Sequence, residues 1–135
     1  MVKKEIWIID DEEFDRNFFS KQARENGLEP VTFKHPKDAV EELSKRIKSN
    51  QDFPIAYLCD MKFEEFQDTD RISPFLLYTF IKQSRLNEKS FYFISNYLSE
   101  REDIPRLKYH NLLNRAFEKD DSEILFEKIV LEDKR

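Results

Sequence analysis

Several features that mark particular protein classes are scarce in this sequence. The 135 residues include one glycine, one cysteine, two histidines and two methionines. The single cysteine, Cys59, cannot form an internal disulfide, which excludes the small disulfide-stapled folds of secreted proteins. His35 and His110 are far apart in the sequence, so a zinc site is not expected. No apolar run approaches the roughly 18 residues that a membrane-spanning helix needs, so no contact with a membrane is expected.

An excess of basic residues is also missing. Lys and Arg together number 23 against 28 Asp and Glu, which gives a formal net charge of −5 at pH 7. The basic residues are scattered, and this argues against direct binding of nucleic acid. The N-terminus meets an acidic cluster within ten residues, unlike a signal peptide, so a cytoplasmic location is expected.

Aromatic and charged side chains, by contrast, are abundant. Thirteen residues are Phe, 39% of the chain is hydrophobic and 38% is charged. Disordered chains are poor in aromatic residues, so this composition indicates a folded protein. The length is sufficient to bury a sizeable core, and we predict a single domain over residues 1–135.

Short apolar segments alternate with segments of helical periodicity along the chain. Strands are predicted at Glu5–Ile9, Pro30–Phe33, Pro54–Cys59, Phe91–Ile94 and Asn111–Asn114. Buried helical faces are predicted through Phe14, Phe18, Phe19 and Ala23, through Ala39, Val40, Leu43 and Ile47, through Leu76, Leu77, Phe80 and Ile81, and through Leu125, Phe126, Ile129 and Val130. Gly27 lies where a left-handed helix C-cap is expected. The alternation predicts an α/β fold of the flavodoxin-like, doubly wound type, with a five-stranded parallel sheet in the order 2-1-3-4-5.

Three of the predicted strands end in side chains that can take part in chemistry. Asp10 and Asp11 follow the first strand, Asp60 follows the third and Ser95 follows the fourth. These strands are neighbours in the 2-1-3-4-5 order, so their ends should converge in one crevice. Carboxylates held together repel one another unless a cation intervenes, and Mg²⁺ prefers such oxygen ligands. A carboxylate that touches Mg²⁺ can also attack phosphorus as a nucleophile.

These segments resemble the receiver domains of two-component signalling. The resemblance rests on Ile8-Ile9-Asp10-Asp11-Glu12, Leu58-Cys59-Asp60-Met61, Ile94-Ser95 and Arg115-Ala116-Phe117, and it spans nearly the whole chain. It implies that Asp10, Asp11, Asp60 and the backbone carbonyl of Lys62 hold Mg²⁺. It further implies that Asp60 accepts a phosphoryl group from a histidine kinase or a histidine phosphotransfer protein. Ser95 would then bond a phosphoryl oxygen, and Arg115 would take the place of the family's usual lysine.

The resemblance also implies a signalling role rather than an enzymatic one. Only a few residues follow the last predicted helix, so we expect a stand-alone receiver whose output passes through a downstream protein partner. The oligomeric state stays open, with a homodimer as one alternative.

The sequence departs from the family pattern at several positions. Arg115 stands where lysine is usual, and arginine differs from lysine in its planar, forked geometry. Asn96 follows Ser95 where the family usually has a small residue, and the stretch from Met61 to Ser73 is longer than usual. Lys62 could place its ammonium among the carboxylates in place of the metal. These departures motivate an alternative function, a phosphorylation-independent adaptor that uses the receiver fold as a protein-binding surface.

A third class, the hydrolases that use an Asp nucleophile, is disfavoured. Phosphatases of the haloacid dehalogenase type need an Asp-x-Asp motif at a strand end. Neither Asp10-Asp11-Glu12 nor Asp60-Met61-Lys62 supplies it.

Overall fold

Strands and helices alternate along the chain. The computed structural model describes residues 4–61, 73–95, 107 and 112–134. The strands are β1 (Glu5–Ile9), β2 (Glu29–Phe33), β3 (Ala56–Asp60), β4 (Phe91–Ser95) and β5 (Ala116–Glu118). The helices within these residues are α1 (Glu13–Glu25), α2 (Pro36–Ser49), α3 (Pro74–Gln83) and α4 (Ser122–Asp133). None of the described helices combines the length and hydrophobicity needed to cross a bilayer.

The five strands form one parallel sheet in the order β2-β1-β3-β4-β5, as the sequence predicts. In the centre of the sheet, Ile8 of β1 lies opposite Thr32 of β2 on one side and Leu58 of β3 on the other. The strand order reverses beside β1, since β2 lies to one side of it and β3 to the other. The carboxyl ends of β1 and β3 therefore flank the crevice where a doubly wound sheet offers room for a ligand.

The sheet is covered on both faces by apolar side chains. Successive residues of a strand point to opposite faces, so the strands buried on both faces carry nearly continuous apolar runs. One face packs against α2 and α3, and its buried residues include Trp7, Ile9, Tyr57, Cys59, Phe91 and Phe93. The other face packs against α1 and α4, and its buried residues include Ile6, Ile8, Leu58, Tyr92 and Ile94. Cys59 is a buried core residue.

The predicted left-handed cap at Gly27 is confirmed. Gly27 has a φ of +75° directly after α1. Its N–H donates to the carbonyl of Arg24, and the N–H of Leu28 donates to the carbonyl of Ala23. This pair of bonds is the Schellman motif, which satisfies carbonyl groups that the end of a helix leaves free.

Three helices depart from the predicted buried faces, and on α2 the departure is at Ile47, which is 44% exposed. On α1, Phe19 and Ala23 are buried as expected, but Phe14 is 77% exposed and Phe18 is 46% exposed. On α3, Leu77 and Ile81 are buried, whereas Leu76 is 57% exposed. A helix that packs on one sheet buries only a narrow stripe, so the apolar residues at its margins stay in contact with solvent.

The prediction of the fifth strand is wrong. Leu113–Arg115 form a 3₁₀ turn, and the strand that pairs with β4 is Ala116–Glu118. The apolar pair Leu112-Leu113 suggested a strand, but Leu112 instead packs into the core below α3. A second 3₁₀ turn, Lys119–Asp121, follows β5 directly. This shift changes which basic residue lies at the end of the sheet.

Candidate functional site

Three carboxylates meet at the carboxyl edge of the sheet, as the sequence predicts. Asp10 follows β1 directly, Asp11 comes next, and Asp60 is the last residue of β3. One carboxylate oxygen from each lies within 4.8 Å of the others. Asp10 and Asp60 are buried, while Asp11 is partly exposed at the mouth of the crevice. Parallel strands that end at one edge of a sheet are what brings residues 50 positions apart into contact.

Ser95 lies on the next strand along the same edge. It is the last residue of β4 and is buried. Asp60 pairs with Ile94 in the β3–β4 register, so Ser95 stands one residue beyond the partner of Asp60. Ser95, whose hydroxyl the sequence predicts at this site, is therefore the last residue of the strand next to Asp60.

The local backbone holds the Asp10 carboxylate in place. One of its oxygens, Oδ1, accepts a hydrogen bond of 3.0 Å from the backbone N–H of Glu12. The backbone of Asp10 is itself tied to β2, since its N–H donates to the carbonyl of Phe33 over 3.0 Å. Arg16 of α1 donates to the backbone carbonyl of Asp10 over 2.8 Å. Burial raises the pKa of Asp10, and the hydrogen bonds that it accepts offset this rise only in part.

Within the described residues, the cation that lies among these carboxylates is Lys119, which follows β5. Its side chain is only 8% exposed, and Nζ lies 2.9 Å from Oδ2 of Asp10 and 3.6 Å from Oδ2 of Asp60. Nζ also lies 2.7 Å from Oδ2 of Asp15, in the first turn of α1. Burial alone would lower the pKa of Lys119, but the charge of Asp60 and the hydrogen bonds to Asp15 and Asp10 raise it above the ordinary lysine value. Lys119 is therefore charged at neutral pH.

Arg115 does not fill the position that the sequence assigned to it. Its guanidinium lies over the ring of Tyr92, 5.5 Å from the ring centroid, on the face of the sheet that packs against α4. The reason is the displaced strand: Arg115 precedes β5 and Lys119 follows it, and only the following residue reaches the carboxyl edge. A clue was present in the sequence. The segment Ala116-Phe117-Glu118 is a short apolar-containing run that ends at a lysine, just as the first and third strands end at acids.

Two other predicted positions lie outside the described residues. These are Lys62, whose backbone carbonyl the resemblance assigns to the metal shell, and Asn96, which follows Ser95. Their roles stay predictions. The same holds for His110 and for most of the stretch between Asp60 and Ser73.

Comparison with known proteins gives matches of structure but not of sequence families. No protein-family model matches the chain, and no curated protein matches it. Among solved structures, a Francisella response regulator receiver domain is 11% identical, with a TM-score of 0.68 and coverage of 97% of this chain and 99% of that one. A response regulator receiver domain protein from Clostridium thermocellum is 15% identical, with a TM-score of 0.64 and coverage of 97% of both chains. The bacteriophytochrome response regulator AtBRR is 16% identical, with a TM-score of 0.68 and coverage of 98% and 93%.

This chain has the receiver-domain fold. At sequence identities this low, the similarity establishes only that the backbones follow the same path. What the receiver fold does in this chain has to be argued from the side chains at its carboxyl edge.

The donor set at this edge of the receiver fold suits a hard divalent cation. All three groups offer carboxylate oxygens, the ligand type that Mg²⁺ prefers. Neighbouring oxygens around an octahedral Mg²⁺ are about 3 Å apart, so carboxylate oxygens that lie within 4.8 Å of one another reach this geometry by closing around the ion by roughly 2 Å at most. An ionised carboxylate has about four lone-pair positions, so Asp10 can accept from the Glu12 N–H through Oδ1 and still offer an oxygen to a metal ion. The residues present therefore fit Mg²⁺.

Proposed function

We propose that the chain is a phosphoryl-accepting receiver in a two-component phosphorelay, with Asp60 as the acceptor. The observation that carries this proposal is the cluster of Asp10, Asp11 and Asp60, whose oxygens lie within 4.8 Å of one another, with the Lys119 ammonium 3.6 Å from Asp60. Acidic ligands for a divalent cation, a nucleophilic carboxylate and a fixed positive charge are the parts that phosphoryl transfer to a carboxylate requires.

In the proposed reaction, a carboxylate oxygen of Asp60 attacks the phosphorus of a phosphohistidine. An O–P bond forms, the N–P bond breaks, and the electron pair of that bond returns to the imidazole nitrogen of the donor. When Mg²⁺ is bound, its charge lowers the repulsion between the anionic phosphoryl group and the carboxylates. Asp10 and Asp11 would hold the metal ion, and Lys119, 3.6 Å from Asp60, would place its ammonium where charge accumulates on the phosphoryl oxygens. Ser95, at the end of the neighbouring strand, supplies a hydroxyl for one of those oxygens.

The proposed phosphoryl transfer requires a donor protein and a protein that recognises the product. A histidine kinase or a histidine phosphotransfer protein supplies the phosphoryl group, and a downstream protein reads the phosphorylated form. The chain accepts one phosphoryl group and acts as a switch instead of turning over a substrate, and the cytoplasm is its proposed location.

One of the observations that motivated the adaptor function no longer supports it. It was motivated by Lys62, Asn96 and Arg115, and Arg115 is not the basic residue of the crevice. Lys119 supplies the lysine ammonium that the family pattern has at this place. Nothing in the described part of the chain favours the adaptor over the acceptor.

Phosphoryl transfer is tested with a small-molecule donor. Incubating the chain with phosphoramidate and Mg²⁺ should add the mass of one phosphoryl group, measured by intact-protein mass spectrometry. Asp60→Asn should remove the label because the nucleophilic oxygen is replaced by an amide. Lys119→Met should slow labelling by about 100-fold, since one charged donor to a developing anion contributes on this scale.

Arg115→Met is the matched control, because it removes a cation close in sequence to Lys119 but directed at Tyr92. Its labelling rate should stay within about twofold of that of the wild type, since it removes no donor from the developing anion. Absence of any label on the wild-type chain, under conditions that label an established receiver, would rule out the proposed function.

A further inference from the structure

Asp15 is an acid at the site that phosphoryl acceptance does not require. It lies in the first turn of α1, and its side chain is only 14% exposed. Its Oδ2 takes part in the shortest of the three ion pairs that Lys119 forms with described residues, 2.7 Å against 2.9 Å to Asp10 and 3.6 Å to Asp60. Asp15 is not among the carboxylates that lie close enough together to share a metal ion. It contacts the lysine of the site from outside the proposed metal shell.

Lys119 and a divalent cation compete for the same carboxylates. The ammonium occupies Oδ2 of Asp10 and lies within ion-pair distance of Oδ2 of Asp60. A cation bound between Asp10 and Asp60 would repel the ammonium and would draw the same oxygens toward itself. Binding of the metal therefore includes the cost of loosening Lys119 from these two acids. That cost depends on where the ammonium can go, because a buried charge without a partner is strongly unfavourable.

We infer that Asp15 is a positioning residue that holds the Lys119 ammonium when a divalent cation takes Asp10 and Asp60. Through its 2.7 Å contact with Nζ it offers the lysine a carboxylate partner that lies outside the proposed metal site. The inference rests on the proposed function, because it concerns the metal site of the phosphoryl acceptor. Asp15 and Lys119 together should make exchange between the bound ammonium and the bound metal less costly.

If Asp15 served only as a helix-terminal acid, its substitution would affect metal binding differently. An acid in the first turn of a helix interacts favourably with the helix dipole, whatever lies in front of it. Glu13 lies in the same first turn of α1 and is exposed. If Asp15 acted only through the dipole or through general negative charge, neutralising either residue would have a similar effect on metal binding. The contact with Lys119 distinguishes Asp15 from Glu13, so Glu13 provides the matched control.

The test is isothermal titration calorimetry of the full chain with MgCl₂ at constant ionic strength. Asp15→Asn should weaken Mg²⁺ binding by about fivefold, the change that corresponds to roughly 1 kcal/mol from a largely buried ion pair. Glu13→Gln should stay within about twofold, as expected for an exposed charge near a helix end. Asp15→Glu, which restores a carboxylate, should recover most of the affinity. Lys119→Met should tighten Mg²⁺ binding because it removes the competing cation.

The decisive comparison introduces Asp15→Asn into a variant that lacks the Lys119 ammonium. In a Lys119→Met background, Asp15→Asn should have no larger effect than Glu13→Gln. Wild-type affinity in Asp15→Asn, or an unchanged loss in the Lys119→Met background, would overturn the role of Asp15 and leave the proposed function standing. If the wild-type chain bound no Mg²⁺, the metal site of the proposed function would fall, and the inference about Asp15 with it. Circular dichroism of each variant separates loss of binding from loss of folding.

Discussion

At the scale of the residue, the feature that matters most is a buried carboxylate whose charge is only partly compensated. The Asp10 side chain is fully buried, and its pKa is raised because desolvation outweighs the hydrogen bonds from Lys119 and the Glu12 backbone. A raised pKa means that the folded state binds the proton more tightly than the unfolded state does. Ionisation of Asp10 therefore lowers the free energy of unfolding as the pH rises through its native pKa.

We expect Asp10→Asn to stabilise the chain at pH 7 without divalent cations. The amide keeps an oxygen to accept from Glu12, and Lys119 retains Asp15 and Asp60 as ionic partners, so removal of the buried charge should raise the free energy of unfolding by about 1 kcal/mol. Urea unfolding in EDTA should show the difference from the wild type growing above about pH 4, where a carboxyl of ordinary pKa ionises in the unfolded chain. The control is Asp52→Asn on the exposed segment before β3, which should change stability by less than about 0.5 kcal/mol. Equal or lower stability of Asp10→Asn at pH 7 would contradict the prediction.

The sequence allowed the acids of the site to be predicted but not its cation. Asp10 and Asp60 directly follow strongly apolar strands, and the ends of parallel strands share one edge. Lys119 follows a strand of three residues that contains one large apolar side chain, Phe117. Such a strand is specified by pairing with β4 and by contacts with α4, neither of which local periodicity records. Asp15 could not have been singled out, because its partner lies 104 residues away.

At the scale of the element, the end of α1 is fixed by its last turn and by one glycine. Gly27 has a φ of +75°, and a Cβ placed on it would meet nothing within 4 Å. A substitution there should act through backbone strain alone. Gly27→Ala should lower the free energy of unfolding by about 1 kcal/mol, the usual cost of the left-handed conformation for a residue with a Cβ.

Chemical denaturation of the purified variants checks this prediction. Gly27→Asn should lose less stability than Gly27→Ala, because asparagine tolerates the left-handed conformation better. Asn50, which caps α2 with a φ of 56°, already does so in this chain. Wild-type stability in Gly27→Ala would mean that the cap does not hold this conformation in solution.

Helix positions were easier to predict than helix rotation. The bounds of α1 follow from its periodicity and from Gly27, yet Phe14 and Phe18 lie largely outside the core. Two different apolar stripes can be drawn through Phe14, Phe18, Phe19 and Ala23, and the sequence alone does not say which one meets the sheet. Packing against β2 and α4 settles the choice in favour of Phe19 and Ala23.

At the scale of the whole molecule, the strand order follows from the alternation of strands with helices. Right-handed crossovers leave few arrangements for five such units, and the order β2-β1-β3-β4-β5 was among those few. One misplaced strand did not change the topology, because β5 still follows β4 and still pairs with it. The topology gathers Asp10, Asp11 and Asp60 at one edge, so repulsion among them opposes the fold that brings them together.

Mg²⁺ should therefore stabilise the folded chain as a whole. A ligand that binds only the native state raises the free energy of unfolding by about 2.7 kcal/mol at 100 times its Kd. Differential scanning calorimetry should show Tm rising with MgCl₂ beyond the change produced by NaCl of equal ionic strength, which accounts for screening. Asp11→Asn should lose most of this rise, since it removes one of the carboxylates proposed to bind the metal ion. Asp10→Asn should begin with the higher Tm in EDTA and gain less from Mg²⁺, so the gap between it and the wild type should narrow as MgCl₂ increases. If Tm rose with MgCl₂ by the same amount in Asp10→Asn and in the wild type, the prediction would be contradicted. The metal ion would then not act by relieving the repulsion that involves Asp10.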